Sequence, residues 1–216
     1  MSSFGLDISD KSLKFVSLTL RKSGIRLERY GEIKIPVGII ESGKIKDPKK
    51  LEAIVRSLRK EQSIKSVRVS LQEEQIYLFK MRLDKTDLLS VREAIELSLE
   101  EHIPIPAPET IFDYEIIDED QKSLQVQVEA IQKNVIENYL SVFRNAGMFV
   151  PSLELEAQAI ARAVIKKGDM DAHMLVDFGE RRTGIFIISK WVVMFSSTLD
   201  VGGTMLTGRI AKNCRR

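Results

Sequence analysis

The sequence predicts a mixed α/β fold in which two β-β-β-α blocks bracket a middle block of strands and helices. Three observations carry that prediction. First, FGLDISDKSLKFVSL (Phe4–Leu18) and MLVDFGERRTGIFII (Met174–Ile188) share one layout: an apolar strand ending in Asp, a tight polar turn, and a second apolar strand. Second, each hairpin is followed by a third strand and then a helix, so a structural unit repeats without close sequence identity. Third, the stretch between them switches between alternating apolar residues and apolar residues at helical spacing.

Taken in order, Phe4–Ile8, Leu13–Leu20 and Ile25–Ile35 are apolar and β-branched runs separated by Asp, Ser and Gly turn residues, and they read as strands. Pro36–Gly43 reads as a loop. Asp47 is placed to cap a helix with Pro48 at its first position, and Leu51, Ile54, Val55 and Leu58 give that helix an apolar stripe. Ser66–Leu71 and Gln75–Leu83 read as strands, the first with one solvated face because Val67, Val69 and Leu71 alternate with polar residues. Thr86–Glu101 reads as an amphipathic helix with Leu88, Leu89, Val91, Ile95 and Leu99 inward. The prolines of His102–Pro108 stop it.

Thr110–Ile117 and Ser123–Ile131 form a hairpin around Asp118–Lys122, and Lys133–Ala146 is a helix ended by Gly147. Met148–Leu153 is expected as a strand and Glu154–Lys167 as a helix closed by Gly168. The pattern then restarts with strands His173–Phe178, Thr183–Ser189 and Trp191–Leu199, and a helix from Gly202-Gly203.

Composition narrows the function classes. With 216 residues, 44% hydrophobic and 30% charged, the chain fits an ordinary soluble globular protein with a substantial core. Its 33 basic and 31 acidic residues are well mixed, so nothing draws it to nucleic acid. A single cysteine, Cys214, excludes an internal disulfide and fits a reducing, cytoplasmic setting. Two histidines, His102 and His173, with that cysteine give no recognisable ligand spacing, so no transition metal is expected. Asp7 and Asp10 stand where a signal peptide needs an apolar core, and Gly184–Phe195 is too short and too interrupted to span a bilayer. Contact with a membrane is therefore expected only through partners.

Phosphate-loop, dinucleotide-fold and nucleophile-elbow motifs are all missing from the sequence. The chemistry left is that of the two hairpins. A turn with converging backbone N–H groups can hold an anion, and hydroxyls or lysines add donors. The first offers Ser9, Lys11, Ser12 and Lys14, and the second Gly179 and Thr183. Asp7 and Asp177, at the strand ends, suit Mg²⁺ held through water, because Mg²⁺ favours one or two carboxylates plus phosphate oxygens. Two such hairpins can clamp the phosphates of a nucleotide; taken alone, each is also ordinary hairpin punctuation.

Asp7-Ile8-Ser9-Asp10-Lys11-Ser12-Leu13-Lys14 resembles the first phosphate motif of the actin-like ATPase superfamily, and Val176-Asp177-Phe178-Gly179 with Thr183 resembles its second. More specifically, the chain resembles the PilM family of type IV pilus assembly, relatives of the cell-division protein FtsA. That resemblance lies in Gly43–Pro48 (GKIKDP), in Glu101–Pro106 followed by Phe112-Asp113-Tyr114, in Leu155–Ala163 (LEAQAIARA), and in Val201–Thr207 (VGGTMLT). It implies an actin-like, ribonuclease-H-like fold with an inserted α+β subdomain. Residues 1–36 with 150–170 would be the first actin-like subdomain, 37–149 the region holding the insertion, and 171–216 the start of a second half left incomplete.

The resemblance also implies a role. The protein would be a cytoplasmic scaffold binding the N-terminal peptide of a PilN-like inner-membrane protein, in a cleft between the first half and the insertion. Motor ATPases of the PilB/PilT type and further copies of itself are implied as other partners. ATP with Mg²⁺ would sit on Asp7, Ser9, Lys11, Ser12, Lys14, Asp177, Gly179, Thr183, Gly202 and Gly203. Three departures bear on nucleotide binding: the first is tolerable, the second leaves the sign of its effect open and the third points to weakened binding, while the family's role implies a scaffold rather than an enzyme. Ser9 replaces the family's usual Gly, at a cost of about 1 kcal/mol if that position needs positive φ. The second turn carries Glu180-Arg181-Arg182, and the sequence reads as truncated before the adenosine-binding part. The alternatives are an active ATPase or phosphotransferase on the same fold, and an FtsA-like or GspL-like filament component.

Overall fold

A computed structural model describes residues 3–22, 24–85 and 90–214. Along the chain run β1 (Ser3–Ile8), β2 (Ser12–Arg21), β3 (Gly24–Lys34), β4 (Ile40–Glu41), β5 (Lys44–Ile45), α1 (Pro48–Gln62), β6 (Val67–Leu71) and β7 (Ile76–Asp84). Then follow α2 (Val91–His102), β8 (Thr110–Glu119), β9 (Ser123–Gln132), α3 (Lys133–Asn145), β10 (Leu153–Leu155) and α4 (Glu156–Val164). The last elements are β11 (Ala172–Phe178), β12 (Thr183–Ser189), β13 (Val192–Leu199) and α5 (Gly203–Asn213). The chain divides into two compact units, one of Met1–Ile76, Ile105–Ile111 and Ile131–Ala159, the other of Tyr77–Pro104, Phe112–Ala130 and Ile160–Arg216.

The first unit is built on a five-stranded sheet in the order β10-β6-β1-β2-β3. β1, β2 and β3 form an antiparallel meander, while β6 and β10 join in parallel, β6 beside β1. One face of this sheet carries Phe4, Leu6, Ile8, Leu13, Phe15, Val67 and Val69, all buried, and shares one core with Leu51, Val55 and Leu58 of α1 and Tyr139, Val142 and Phe143 of α3. Burying such side chains contributes about 1.5–3 kcal/mol each, which is what holds α1 and α3 on the sheet. Asp47 caps α1 by accepting the Lys50 N–H at 3.0 Å, with Pro48 in the first turn, as the sequence predicts.

In the second unit β7, β9 and β8 form a three-stranded sheet, and β11-β12-β13 form another. α2 carries a capping box: the Ser90 hydroxyl accepts the Glu93 N–H, and the Glu93 carboxylate accepts the Ser90 N–H at 2.8 Å. The expected start of this helix, Thr86–Leu89 with Leu88 and Leu89, lies outside the described residues. β11 alternates cleanly: Met174, Val176 and Phe178 are exposed, and α5 has no buried residue among Gly203–Asn213.

Four local expectations are revised. Pro36–Gly43 is not all loop, because Ile40-Glu41 pairs with Lys44-Ile45 around Ser42-Gly43. Both turn residues have positive φ, 49° and 73°, as a two-residue hairpin turn requires. The strand expected at Met148–Leu153 forms instead at Leu153–Leu155, after Pro151, which has no N–H to donate. α4 therefore begins at Glu156 rather than Glu154, where the buried Glu73 carboxylate accepts the Ala157 N–H at 2.6 Å. Finally, only Arg68 of β6 is exposed; Ser70, expected on a solvated face, is buried.

Candidate functional site

The two Asp hairpins, each in its own unit, have the same local construction. In the first, Ile8 pairs with Leu13, and in the second Phe178 pairs with Thr183, so each closes a four-residue loop. The loop's first N–H donates to its fourth carbonyl at 2.9 Å in both cases, Ser9 to Ser12 and Gly179 to Arg182. Counting from that closing pair, Asp7 matches Asp177, Asp10 matches Glu180, and Lys11 matches Arg181. An acid followed by a base thus occupies the same two loop positions twice.

In the first loop the Ser9 hydroxyl is the organising group. It accepts the Ser12 N–H at 3.1 Å and the Lys11 N–H at 3.4 Å, closing a hydroxyl turn. Ser9 is not among the residues with positive φ, so the strain expected for replacing Gly does not arise. Asp7 faces sideways along the sheet. Its carboxylate accepts from the Ser70 hydroxyl at 3.1 Å and lies 3.8 Å from the Lys14 ammonium. Strand register places Glu32, Lys14, Asp7, Ser70 and Glu154 in one row across the five strands. The Asp7 side chain stays about a third exposed, so its carboxylate has the water access an outer-shell Mg²⁺ needs.

Asp10 was not among the residues singled out from the sequence, and it proves structurally central. It is 9% exposed and accepts the Ser42 and Gly43 N–H groups at 3.0 and 3.1 Å, one on each oxygen. The Gly43 carbonyl in turn accepts the Tyr139 hydroxyl at 2.9 Å. Burial, and secondarily the Asp10 charge, raises the Tyr139 pKa well above that of an ordinary phenol, so the hydroxyl stays a donor. The signal that could have found this was the Ser-Gly pair between Ile40 and Ile45, which marks a tight hairpin needing its amides satisfied.

The second loop is docked on the start of α5. The Gly203 N–H donates to the Gly179 carbonyl at 3.0 Å, and the Thr204 N–H to the Glu180 carbonyl at 2.9 Å. The Thr204 hydroxyl donates to the Glu180 carboxylate at 3.4 Å. Thr183 turns its hydroxyl to the Val201 carbonyl at 2.6 Å, and Arg182 lies 3.3 Å from Asp200. Gly202 sits so close that a Cβ there would lie 2.4 Å from the Arg181 carbonyl carbon. Of the residues expected to hold phosphate, Gly179, Thr183, Gly202 and Gly203 are thus brought together in one unit, and Asp7, Ser9, Lys11, Ser12 and Lys14 in the other.

A meander whose first hairpin carries Asp at its strand end, joined in parallel by later strands and partly duplicated downstream, defines a protein of the actin-like ATPase fold. A family model for "Type IV pilus assembly protein PilM" matches residues 5–214, and the chain belongs to that family. Among solved structures it is similar to the PilM-PilN type IV pilus biogenesis complex at TM-score 0.81 and 21% identity, covering 100% of this chain and 66% of that one. It is also similar to the cytoplasmic domain of EpsL, an inner-membrane component of the type II secretion system of Vibrio cholerae. There the TM-score is 0.60 with 10% identity, over 93% of this chain and 71% of that one. The ethanolamine utilization protein EutJ from Carboxydothermus hydrogenoformans matches at TM-score 0.57 and 15% identity, over 100% of this chain and 57% of that one. No curated protein matches the sequence.

Proposed function

We propose that this chain is an adaptor of type IV pilus assembly that binds the cytoplasmic N-terminal peptide of a PilN-like inner-membrane protein. The observation that carries this is the family assignment over residues 5–214, supported by the fold shared with PilM in a PilM-PilN complex. Among the described residues no helix is long and apolar enough to cross a membrane, so in this reading the peptide is what brings the protein to the inner membrane. Pilus motor ATPases are further proposed partners. The test is co-purification: the chain should elute with a detergent-solubilised PilN-like protein and lose it when that protein's cytoplasmic N-terminal residues are deleted. Equal retention of both forms would count against the reading.

We further propose that each Asp hairpin, within its own unit, retains a weak phosphate-binding turn. In the first, Lys11 and Lys14 would meet phosphate oxygens and Asp7 would hold Mg²⁺ through water; in the second, Asp177 would do the same for its own turn. Weak affinity follows from chemistry inside the loops: Ser9 already accepts the first loop's amides, and the first amides of α5 already donate to Gly179 and Glu180. A phosphate would have to compete with those bonds. Calorimetric titration with Mg-ATP should therefore give weak binding, in the high micromolar range or above; nanomolar binding would refute it.

A further inference from the structure

The GKIKDP segment, Gly43–Pro48, is used by neither hairpin, yet the fold builds an elaborate support for it. Asp10 holds the Ser42-Gly43 turn, and Tyr139 on α3 holds the Gly43 carbonyl. Beyond the turn, the Lys46 and Asp47 N–H groups both donate to the Ile39 carbonyl, at 2.8 and 3.2 Å. The backbone carrying Lys44 and Lys46 is thereby fixed against α3.

Between the two lies a surface cavity of about 150 Å³, lined by Lys44, Lys46, Gln132, Asn134 and Asn138 over a floor that includes the buried Val135. No carboxylate lines it. Among the described residues neither lysine forms an ion pair, and the side-chain amides of Asn134 and Asn138 have no protein partner. Two of the nearby acids are paired with other lysines: Asp47 with Lys50 at 3.1 Å and Glu137 with Lys133 at 3.9 Å. Glu41, opposite Lys44 in the hairpin, makes no ion pair with it. Lys44, in β5, and Lys46, in the bend just after it, both line the cavity. Asn134 and Asn138 are four apart on a helix and do likewise.

We propose that this cavity is a binding site for a small oxyanion, a carboxylate or phosphoryl group carried by a ligand. Two ammonium groups and the amide NH₂ groups of Asn134 and Asn138 offer donors around a volume that fits one such group, and no carboxylate of the chain lines it to compete for them. The Asp10–Gly43–Tyr139 support keeps the lysine backbone from retreating when the charges are unneutralised. The site lies wholly within the first unit, and the proposal does not rest on the PilN reading.

The experiment titrates the full chain, by ligand-observed NMR at low salt, with inorganic phosphate and separately with N-acetylglutamate. The expected result is saturable binding of at least one of them in the millimolar range. Binding should weaken about tenfold in each of Lys44→Gln and Lys46→Gln, the loss of one charge-assisted hydrogen bond, and with rising salt. Phosphate binding alone would assign the ligand group as phosphoryl, and N-acetylglutamate binding as carboxylate. Both lysines are exposed, so the variants should melt at the wild-type temperature. Failure of the wild type to bind either anion, or unchanged binding by the K44Q/K46Q double variant, would overturn the proposal.

Discussion

Replacing Asp10 tests the fold where it positions most. Its carboxylate is buried and satisfies two amides at once, at 3.0 and 3.1 Å. Hydrogen bonds to a charged acceptor contribute about 1.5–3 kcal/mol each. Asp10→Asn keeps one carbonyl acceptor but turns an NH₂ towards the second amide, so it should cost about 1.5–3 kcal/mol. Asp10→Ala removes both acceptors; some water can reach Ser42 but little can reach the buried Gly43 N–H, which gives about 2–4 kcal/mol. Tyr139→Phe removes only the bond to the Gly43 carbonyl and should cost about 1 kcal/mol. Because Asp10 and Tyr139 grip the same residue, the double variant should cost less than the sum. Urea unfolding followed by far-UV circular dichroism measures these values, and amide exchange at Gly43 localises them. A shift below about 0.5 kcal/mol for Asp10→Asn, the level of an ordinary surface change, would refute the reasoning.

Other perturbations have equally definite outcomes. Gly202→Ala drives a Cβ to within 2.4 Å of the Arg181 backbone, next to the Gly179 and Glu180 carbonyls that α5 bonds, so it should destabilise the second unit by about 1–3 kcal/mol, read as a lowered melting temperature. Ser90→Ala deletes one half of the α2 capping box and should cost about 1 kcal/mol in the same assay. Asp47, Glu93, Asp120 and Asp169 all have pKa values held below their ordinary ones. For Asp47, Asp120 and Asp169 the main cause is backbone N–H donors, from Lys50, Lys122 and Asp171; for Glu93 it is the Ser90 hydroxyl. Groups with depressed pKa stabilise the folded state above their unfolded values, 3.8 for Asp and 4.5 for Glu, and lose that contribution as pH falls through the folded values. The urea midpoint should therefore be flat through neutral pH and decline in acid; a rise on acidification would contradict the assignment.

Much of this fold was legible because its signals are local. The two Asp hairpins, the third strands and the helix beginning at Pro48 follow from apolar alternation, turn residues and a Pro at the first helical position. What escaped depends on contacts distant in sequence. Nothing near Glu154 says that α4 should wait for Glu156; the cap that sets its start comes from Glu73, 84 residues earlier. The β4–β5 hairpin is only two residues a side, too short for periodicity to show, and its turn is stabilised by Asp10, 33 residues upstream of Gly43. The candidate site divides in the same way. Residue types at the Asp hairpins were readable, but the self-bonding of Ser9 and the docking of Gly179-Glu180 on α5 are matters of geometry. Lys44 and Lys46 stood out only as part of a motif until α3 was seen to complete the cavity.

The most direct test of the adaptor reading is fluorescence anisotropy with a labelled synthetic peptide copying the cytoplasmic N-terminus of a PilN-like protein from the same genome. The account predicts saturable one-to-one binding that a scrambled peptide of the same composition does not reproduce. Equal anisotropy change with both peptides, or none with either while the protein is folded, would contradict it.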